Sequence, residues 1–171
     1  MVDIKEFREC YCWACDCTQC AGPEDLDVRA TCDYWLAARA KDIAEKFLPK
    51  DKYEHAKRVA SYSLEVSKKY PLAEYIMSYI VAWLHDVVED SDYPLCTIEM
   101  EFGERISKCV ELLTHKKEEC SYPEYIDYIF ESENWEAIVV KHADMKDHLA
   151  QKETLTPELK EKYFEVIDRF I

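Results

Sequence analysis

Glycine is nearly absent from this chain of 171 residues, with only Gly22 and Gly103 present. The dipeptides Asn-Gly and Asp-Gly do not occur, and the tight turns between neighbouring β-strands depend on such pairs. Their absence argues against a β-sheet. Apolar residues make up 49% of the chain and charged residues 34%, which is typical of a globular protein. The composition therefore predicts an all-α fold.

Positive charge is also scarce, since 22 Lys and Arg residues face 36 Asp and Glu residues and the net charge is −14. This charge argues against general binding to nucleic acid, because phosphate backbones are held by surplus Lys and Arg, although local cations can still bind a small anion. No apolar run approaches the ~18 residues of a membrane span. Asp3, Lys5 and Glu6 replace the apolar core of a signal peptide. We expect a cytoplasmic protein that does not enter a membrane.

Cysteine is abundant at one end only, because five of the nine cysteines lie between Cys10 and Cys20. We therefore divide the chain into a cysteine-rich extension, residues 1–31, and a main domain, residues 32–171. The extension contains two Cys-x2-Cys pairs, which could hold Zn²⁺. A single residue separates the pairs, however, and four apolar residues recur at helical spacing, which favours an amphipathic helix. The pairs are Cys12/Cys15 and Cys17/Cys20, and the apolar residues are Ile4, Phe7, Tyr11 and Ala14.

The most apolar run, residues 75–82, predicts one long helix that continues to Asp90. At helical spacing His85 and Glu89 form one i, i+4 pair, and Asp86 and Asp90 form a second. The three carboxylates lie at the negative end of the helix dipole, where acidic groups are disfavoured. A bound divalent cation would relieve this repulsion, and His with Asp provides suitable ligands. The alternative is a solvated acidic helix end.

Two other helices are predicted to carry polar residues on a buried face. His55 begins an apolar stripe that continues with Val59 and Val66, and Asp144 continues a stripe that includes Val140. A buried Asp is costly unless a cation meets it.

Breakers and capping residues set the remaining helix boundaries. Asp33 is the predicted cap of the first helix, Gly103 ends a short helix that Thr97 opens, and Phe164 is expected to pack inward from the last helix. The predicted helices cover residues 33–47, 51–66, 97–102, 104–113, 121–131, 134–150 and 157–170.

The order His55, His85-Asp86, Asp144 resembles that of the HD phosphohydrolase superfamily. Residues 85–90, His-Asp-Val-Val-Glu-Asp, are similar to the HDxxED signature of the RelA/SpoT-type alarmone hydrolases, which include the small alarmone hydrolases. Further matching segments are 102–106, Phe-Gly-Glu-Arg-Ile, and 140–144, Val-Lys-His-Ala-Asp. The resemblance covers about residues 37 to 149 and implies an HD-domain helical bundle.

The resemblance also implies roles for particular residues. The ligands of one divalent ion, usually Mn²⁺, would be His55, His85, Asp86 and Asp144. Glu89 and Asp90 would orient or deprotonate the attacking water. The implied reaction is hydrolysis of a small nucleotide, with removal of the 3′-pyrophosphate from guanosine tetra- or pentaphosphate.

Substrate contacts are implied for Arg39, Lys41, Lys141 and His148. Arg39 and Lys41 are what remains of a basic family segment on the first helix, and His148 replaces a usual Asn that contacts the nucleotide. These departures leave three alternatives open: a 5′-deoxynucleotidase or another nucleotide phosphohydrolase, a dinuclear site that recruits His115 and His142, and a non-catalytic binding module.

Overall fold

A computed structural model describes residues 26–116 and 118–170, with side chains from residue 33 onward. Every regular element in these ranges is helical, so the predicted all-α fold is confirmed. The five clustered cysteines and both interpretations of them lie outside the described residues. The α-helices are α1 (Leu26–Phe47), α2 (Lys50–Val66), α3 (Tyr75–Leu84), α4 (Val87–Asp90), α5 (Leu95–Phe102), α6 (Glu104–Leu113), α7 (Tyr122–Glu131), α8 (Trp135–Ala150) and α9 (Pro157–Phe164). Short 3₁₀ helices cover Ser67–Lys69 and Ile167–Phe170.

Helix α3 is the centre of the bundle and contacts α1, α2, α6 and α8. Its residues Met77, Ile80, Val81 and Leu84 are almost completely buried. A helix that is apolar around its whole circumference is stable in water only when other helices surround it. The carboxyl end of α3 therefore lies inside the bundle, and His85 directly follows it.

The predicted continuous helix from residue 75 to Asp90 is wrong, because α3 ends at Leu84 and α4 begins at Val87. The imidazole Nδ1 of His85 donates a hydrogen bond of 2.7 Å to the carbonyl of Ala82. In a continuous helix that carbonyl would accept from the backbone N–H of Asp86. A side-chain donor that competes for a helical carbonyl favours a break. The turn places His85 and Asp86 between two helices.

Three other boundaries also differ from the predictions. Helix α1 begins at Leu26, so Asp33 lies within it and is not its cap; no Pro or Gly interrupts residues 26–32. Helix α5 begins at Leu95, directly after Pro94, and not at Thr97. Helix α9 ends at Phe164, whose side chain is 54% exposed and does not pack inward.

The capping predictions for the middle of the chain are confirmed. Ser121 and Glu124 form a capping box at the start of α7. Gly103 has a φ angle of 84° and serves as both the C-cap of α5 and the N-cap of α6. This conformation is readily available only to glycine, which allows the two helices to follow one another directly.

No helix in the described ranges has the length and apolar character to span a membrane.

Candidate metal centre

Three parts of the bundle bring the four predicted metal ligands together. His55 comes from α2, His85 and Asp86 from the turn between α3 and α4, and Asp144 from α8. His55 Nε2 lies 3.2 Å from Asp144 Oδ1 and 3.7 Å from Asp86 Oδ2. His85 Nε2 lies 3.2 Å from Asp86 Oδ1. Two groups of ligand atoms, each within 4.8 Å of one another, share His55: one adds His85 and Asp86, and the other adds Asp144 and His148.

Two atoms of this cluster are buried and form no hydrogen bond, namely Nε2 of His85 and Oδ1 of Asp144. A buried polar atom without a hydrogen-bond partner usually costs 1–3 kcal/mol, so such atoms are rare in folded proteins. Both atoms lie among other potential ligand atoms, at distances typical of ion pairs. A divalent cation would satisfy them together, and imidazole nitrogens with carboxylate oxygens suit first-row transition ions. The residues therefore fit a metal ion.

The orientation of His85 also suits a ligand. Its Nδ1 atom donates to the Ala82 carbonyl, and a carbonyl can only accept. When the ring is neutral, Nε2 therefore carries the lone pair. The same hydrogen bond that interrupts the helix thus fixes the tautomer that can bind a metal.

His55 is oriented by a buried carboxylate. Its Nδ1 atom donates to Asp147 Oδ2 over 2.7 Å, and Arg58 donates two further hydrogen bonds, of 2.7 and 2.9 Å, to the same carboxylate. Burial raises the pKa of Asp147, but His55 and Arg58 reverse this and lower it to about 2. A carboxylate behind a ligating imidazole is a common means of fixing a metal site.

Sequence reasoning missed Asp147 and Arg58. The available signal was their helical spacing, because each lies three residues after a predicted ligand.

The carboxylates around His55 favour positive charge at this point. Burial lowers the pKa of His55, but Asp144 and Asp147 outweigh it and raise the pKa to about 10. Burial likewise raises the pKa of Asp144, and the ammonium of Lys141 with the imidazoles of His148 and His55 holds it well below its usual value. The cluster is therefore built around ionised carboxylates that attract cations.

Lys141 contacts a proposed ligand directly. Its ammonium donates to Asp144 Oδ2 over 2.8 Å and lies 5.5 and 5.2 Å from the ring centroids of Tyr122 and Tyr125. Burial lowers the pKa of Lys141, but the Asp144 carboxylate raises it well above the ordinary value. Lys141 was predicted to contact substrate, but in the structure it forms an ion pair with the Asp144 carboxylate.

The two predicted catalytic acids lie on the more exposed side of the cluster. Lys52 Nζ lies 2.8 Å from Asp90 Oδ2 and forms an ion pair with it. Glu89 is exposed. Burial lowers the pKa of Lys52, but the carboxylates of Asp90, Asp86 and Glu89 raise it above its ordinary value. Lys52 was not predicted as a site residue; its position in the first turn of α2, three residues before His55, was the available signal.

His148 was predicted to contact substrate; it lies at the cluster, where it contacts Asp144, a predicted metal ligand. Its Nε2 atom is 3.1 Å from Asp144 Oδ1, and its ring centroid is 4.7 Å from that of His55. The ring stacks on Tyr163 of α9, with centroids 5.5 Å apart and planes 20° apart.

The first-helix cations are not brought to the cluster by any hydrogen bond or ion pair among the described side chains. Arg39 binds both carboxylate oxygens of Glu101, at 2.6 and 3.1 Å, and Tyr93 donates to the same carboxylate. Lys41 is exposed on α1.

The two histidines of the dinuclear alternative also lie outside both ligand groups. His115 stacks on Tyr125 with centroids 4.4 Å apart. His142 Nδ1 and the hydroxyl of Tyr70 form a hydrogen bond of 3.0 Å. Burial, with Lys69 and Lys146 nearby, lowers the pKa of His142 to about 4, which favours the neutral ring at pH 7.

The chain matches no model of a known protein family, and no curated protein matches it. The functional assignment therefore depends on the geometry of the site and on the motifs in the sequence.

Proposed function

We propose that this protein is a metal-dependent phosphohydrolase of the HD type that acts on a nucleotide. The observation that carries the proposal is the convergence of four ligand residues from α2, the α3–α4 turn and α8, with His85 Nε2 and Asp144 Oδ1 buried and without a hydrogen bond. The order of these residues in the chain, and the Glu-Asp pair that follows His85-Asp86, support the HD assignment.

A divalent ion held by His55, His85, Asp86 and Asp144 would supply Lewis acidity, lowering the pKa of a water molecule and polarising a phosphoryl oxygen. The chain supplies the proton transfers. Glu89 and Asp90 lie on the exposed side of the cluster, where a carboxylate can accept the proton of the attacking water. Lys52, beside Asp90, is suited to neutralise a phosphate oxygen.

For the substrate we propose guanosine 3′,5′-bis(diphosphate), with hydrolysis of its 3′-pyrophosphate ester. Water would attack phosphorus, the bond to the 3′-oxygen would break, and the proton would pass to the leaving oxygen. The Glu89-Asp90 pair and the Phe-Gly-Glu-Arg-Ile segment support this choice. The pairing of Arg39 with Glu101 favours another nucleotide as the alternative, for example that of a 5′-deoxynucleotidase, because a committed guanidinium is less available to a second diphosphate.

The test is to incubate the purified protein with Mn²⁺ and a panel of nucleotides, and to identify the products by mass. We expect release of pyrophosphate from guanosine tetraphosphate, and no release by Asp144→Asn or in excess chelator. Release of inorganic phosphate from deoxynucleoside monophosphates would select the alternative. No turnover of any nucleotide, with one metal ion bound per chain, would contradict the proposed activity and favour a binding module.

A further inference from the structure

We propose that His148 is a fifth protein ligand of the metal ion, an assignment that rests on the metal site of the proposed function and deepens it. The ion would then be held by three imidazole nitrogens and two carboxylate oxygens, from His55, His85, His148, Asp86 and Asp144. His148 lies four residues after Asp144 on α8, so both side chains reach the cluster from one face of that helix.

The spacing of the atoms is that of neighbouring ligands. Bonds of about 2.1 Å at right angles around one ion place adjacent ligand atoms ~3.0 Å apart. His148 Nε2 lies 3.1 Å from Asp144 Oδ1, and His55 Nε2 lies 3.2 Å from the same oxygen. The His85–Asp86 distance on the other side of the cluster is 3.2 Å. His148 therefore stands in the same relation to Asp144 as the other imidazoles stand to their carboxylates.

The contact has the length of an ion pair but is not a well-aligned hydrogen bond. Asp144 Oδ1 is buried and forms no hydrogen bond, although two imidazole nitrogens lie close to it. The other oxygen, Oδ2, accepts from Lys141. Asp144 Oδ2 thus binds Lys141, whereas Oδ1 faces the two imidazoles and is placed to bind a cation.

Tyr163 fixes the imidazole in this position. Its ring is nearly parallel to that of His148 and is only 4% exposed. Because α9 carries Tyr163 and α8 carries His148, this stacking contact between the two helices limits the rotamers open to the imidazole. A side chain without such a neighbour would lose rotamer freedom on binding an ion, which weakens the interaction.

A fifth protein ligand has two chemical consequences. An ion that prefers six ligands would keep one position for substrate or water instead of two. A set with three nitrogens would also favour Co²⁺, Ni²⁺ or Zn²⁺ over Mn²⁺ more strongly than a set with two, because imidazole suits the later first-row ions.

The test measures Co²⁺ binding to the metal-free full-length protein, by competition with a chelating dye and by visible absorption. The variants are His148→Ala and His148→Gln. The control is His142→Ala, which removes an imidazole from the same helix outside the ligand groups. Circular dichroism checks that each variant is folded. We expect both His148 variants to bind Co²⁺ about a hundredfold more weakly, since loss of an outer partner alone costs 10–100-fold.

We also expect the Co²⁺ absorption bands of the His148 variants to change in position and intensity, and those of His142→Ala to match the unsubstituted protein. Unchanged affinity and spectrum in folded His148→Ala would overturn the assignment. This outcome is distinct from failure of the proposed function: Co²⁺ binding that depends on His148, without hydrolysis of any nucleotide, would leave the ligand assignment standing and remove the activity.

Discussion

The candidate metal centre has two sides that differ in burial. The inner wall consists of His55, Lys141, Asp144 and Asp147, with Arg58 reaching Asp147 from the surface, and the outer wall consists of Lys52, Asp86, Glu89 and Asp90. The carboxylates of Asp144 and Asp147 on the inner wall are 7% and 1% exposed, and each has a cationic partner. On the outer wall Asp86 and Asp90 are 19% and 24% exposed, and Glu89 is more exposed still.

This difference indicates a division of labour. Asp147 accepts hydrogen bonds from His55 and Arg58, and Asp144 accepts one from Lys141, so the inner-wall carboxylates are held in place before any ligand arrives. Outer-wall groups lie where solvent and substrate have access, so they are suited to exchange protons. The following predictions test this division and are ordered by the size of the expected effect.

Asp144→Ala should remove both metal binding and activity, and should also destabilise the metal-free protein. The substitution leaves the buried ammonium of Lys141 without its partner, and breaking such a buried pair costs about 3 kcal/mol or more. Urea unfolding in chelator measures the loss. The double variant Lys141→Met/Asp144→Ala should recover much of the stability but no activity. Asp127→Asn, on an exposed pair with Arg169, is the control and should unfold like the original protein.

Glu89→Gln and Asp90→Asn should each lower turnover about a hundredfold, because both acids are assigned to proton transfer. Metal content should stay unchanged, since neither acid belongs to the ligand groups. Steady-state kinetics with elemental analysis of the same samples decides the matter. If either variant lost its metal in proportion to its activity, that acid would be a metal ligand, and the proposed separation of metal binding from proton transfer would be wrong.

Asp147→Asn should weaken metal binding about tenfold or more, within the 10–100-fold range for a partner behind a ligating imidazole. The amide can still accept one hydrogen bond from His55, but it no longer carries the charge that Arg58 and His55 share. Dye competition with Mn²⁺ measures the affinity. Arg58→Gln should show a smaller loss in the same assay. Equal affinity in all three proteins would mean that the inner wall stabilises the fold without tuning the metal.

Glu101→Gln sharpens the boundary of the site, because Arg39 was predicted to bind substrate but contacts Glu101. Burial raises the pKa of Glu101, and the hydrogen bonds of Arg39 and Tyr93 lower it below its ordinary value. The pair therefore stabilises the fold above the unfolded pKa of about 4.3, and this contribution is lost as pH falls through the lower folded pKa.

The stability advantage of the unsubstituted protein over Glu101→Gln should be at most about 1 kcal/mol at pH 7 and should shrink below pH 4. Thermal unfolding from pH 3 to 7 checks this. Arg39→Ala should lower stability similarly with little change in KM, whereas Lys41→Ala should change neither. A large rise in KM for Arg39→Ala would return this residue to the substrate site.

Hydrophobic periodicity, together with helix-capping and helix-breaking residues, allowed much of the fold to be predicted. The scarcity of glycine predicted the all-α class, and Gly103 and the Ser121–Glu124 box marked boundaries that the structure confirms. The break after Leu84 could not be predicted in this way, because it depends on a side-chain hydrogen bond within an otherwise strong helical pattern. Likewise α1 extends beyond its predicted cap, since Asp33 is a common cap residue but an acceptable interior one.

The four predicted ligands could be chosen correctly as neighbours because each lies both at a helical register position and in a recognisable sequence motif. The partners of these ligands were harder to predict. Asp147 and Arg58 are 89 residues apart in the sequence, and their contact follows only from the packing of α2 against α8. Lys141 and His148 were correctly predicted to lie near Asp144, but helical spacing alone does not distinguish a substrate contact from a partner of the carboxylate.

The hydrogen bond between His55 and Asp147 joins residues 92 positions apart in the chain. Loop closure over such a separation slows folding, and contacts of this kind form late when local helices form first. We therefore expect the proposed metal ligands of α2 and α8 to meet only after most of the bundle has assembled. An ion added during refolding should slow unfolding and leave the rate of folding nearly unchanged, because it binds after the transition state. Metal capture would then report the completion of folding, and a partly synthesised chain that lacks α8 could not hold the ion.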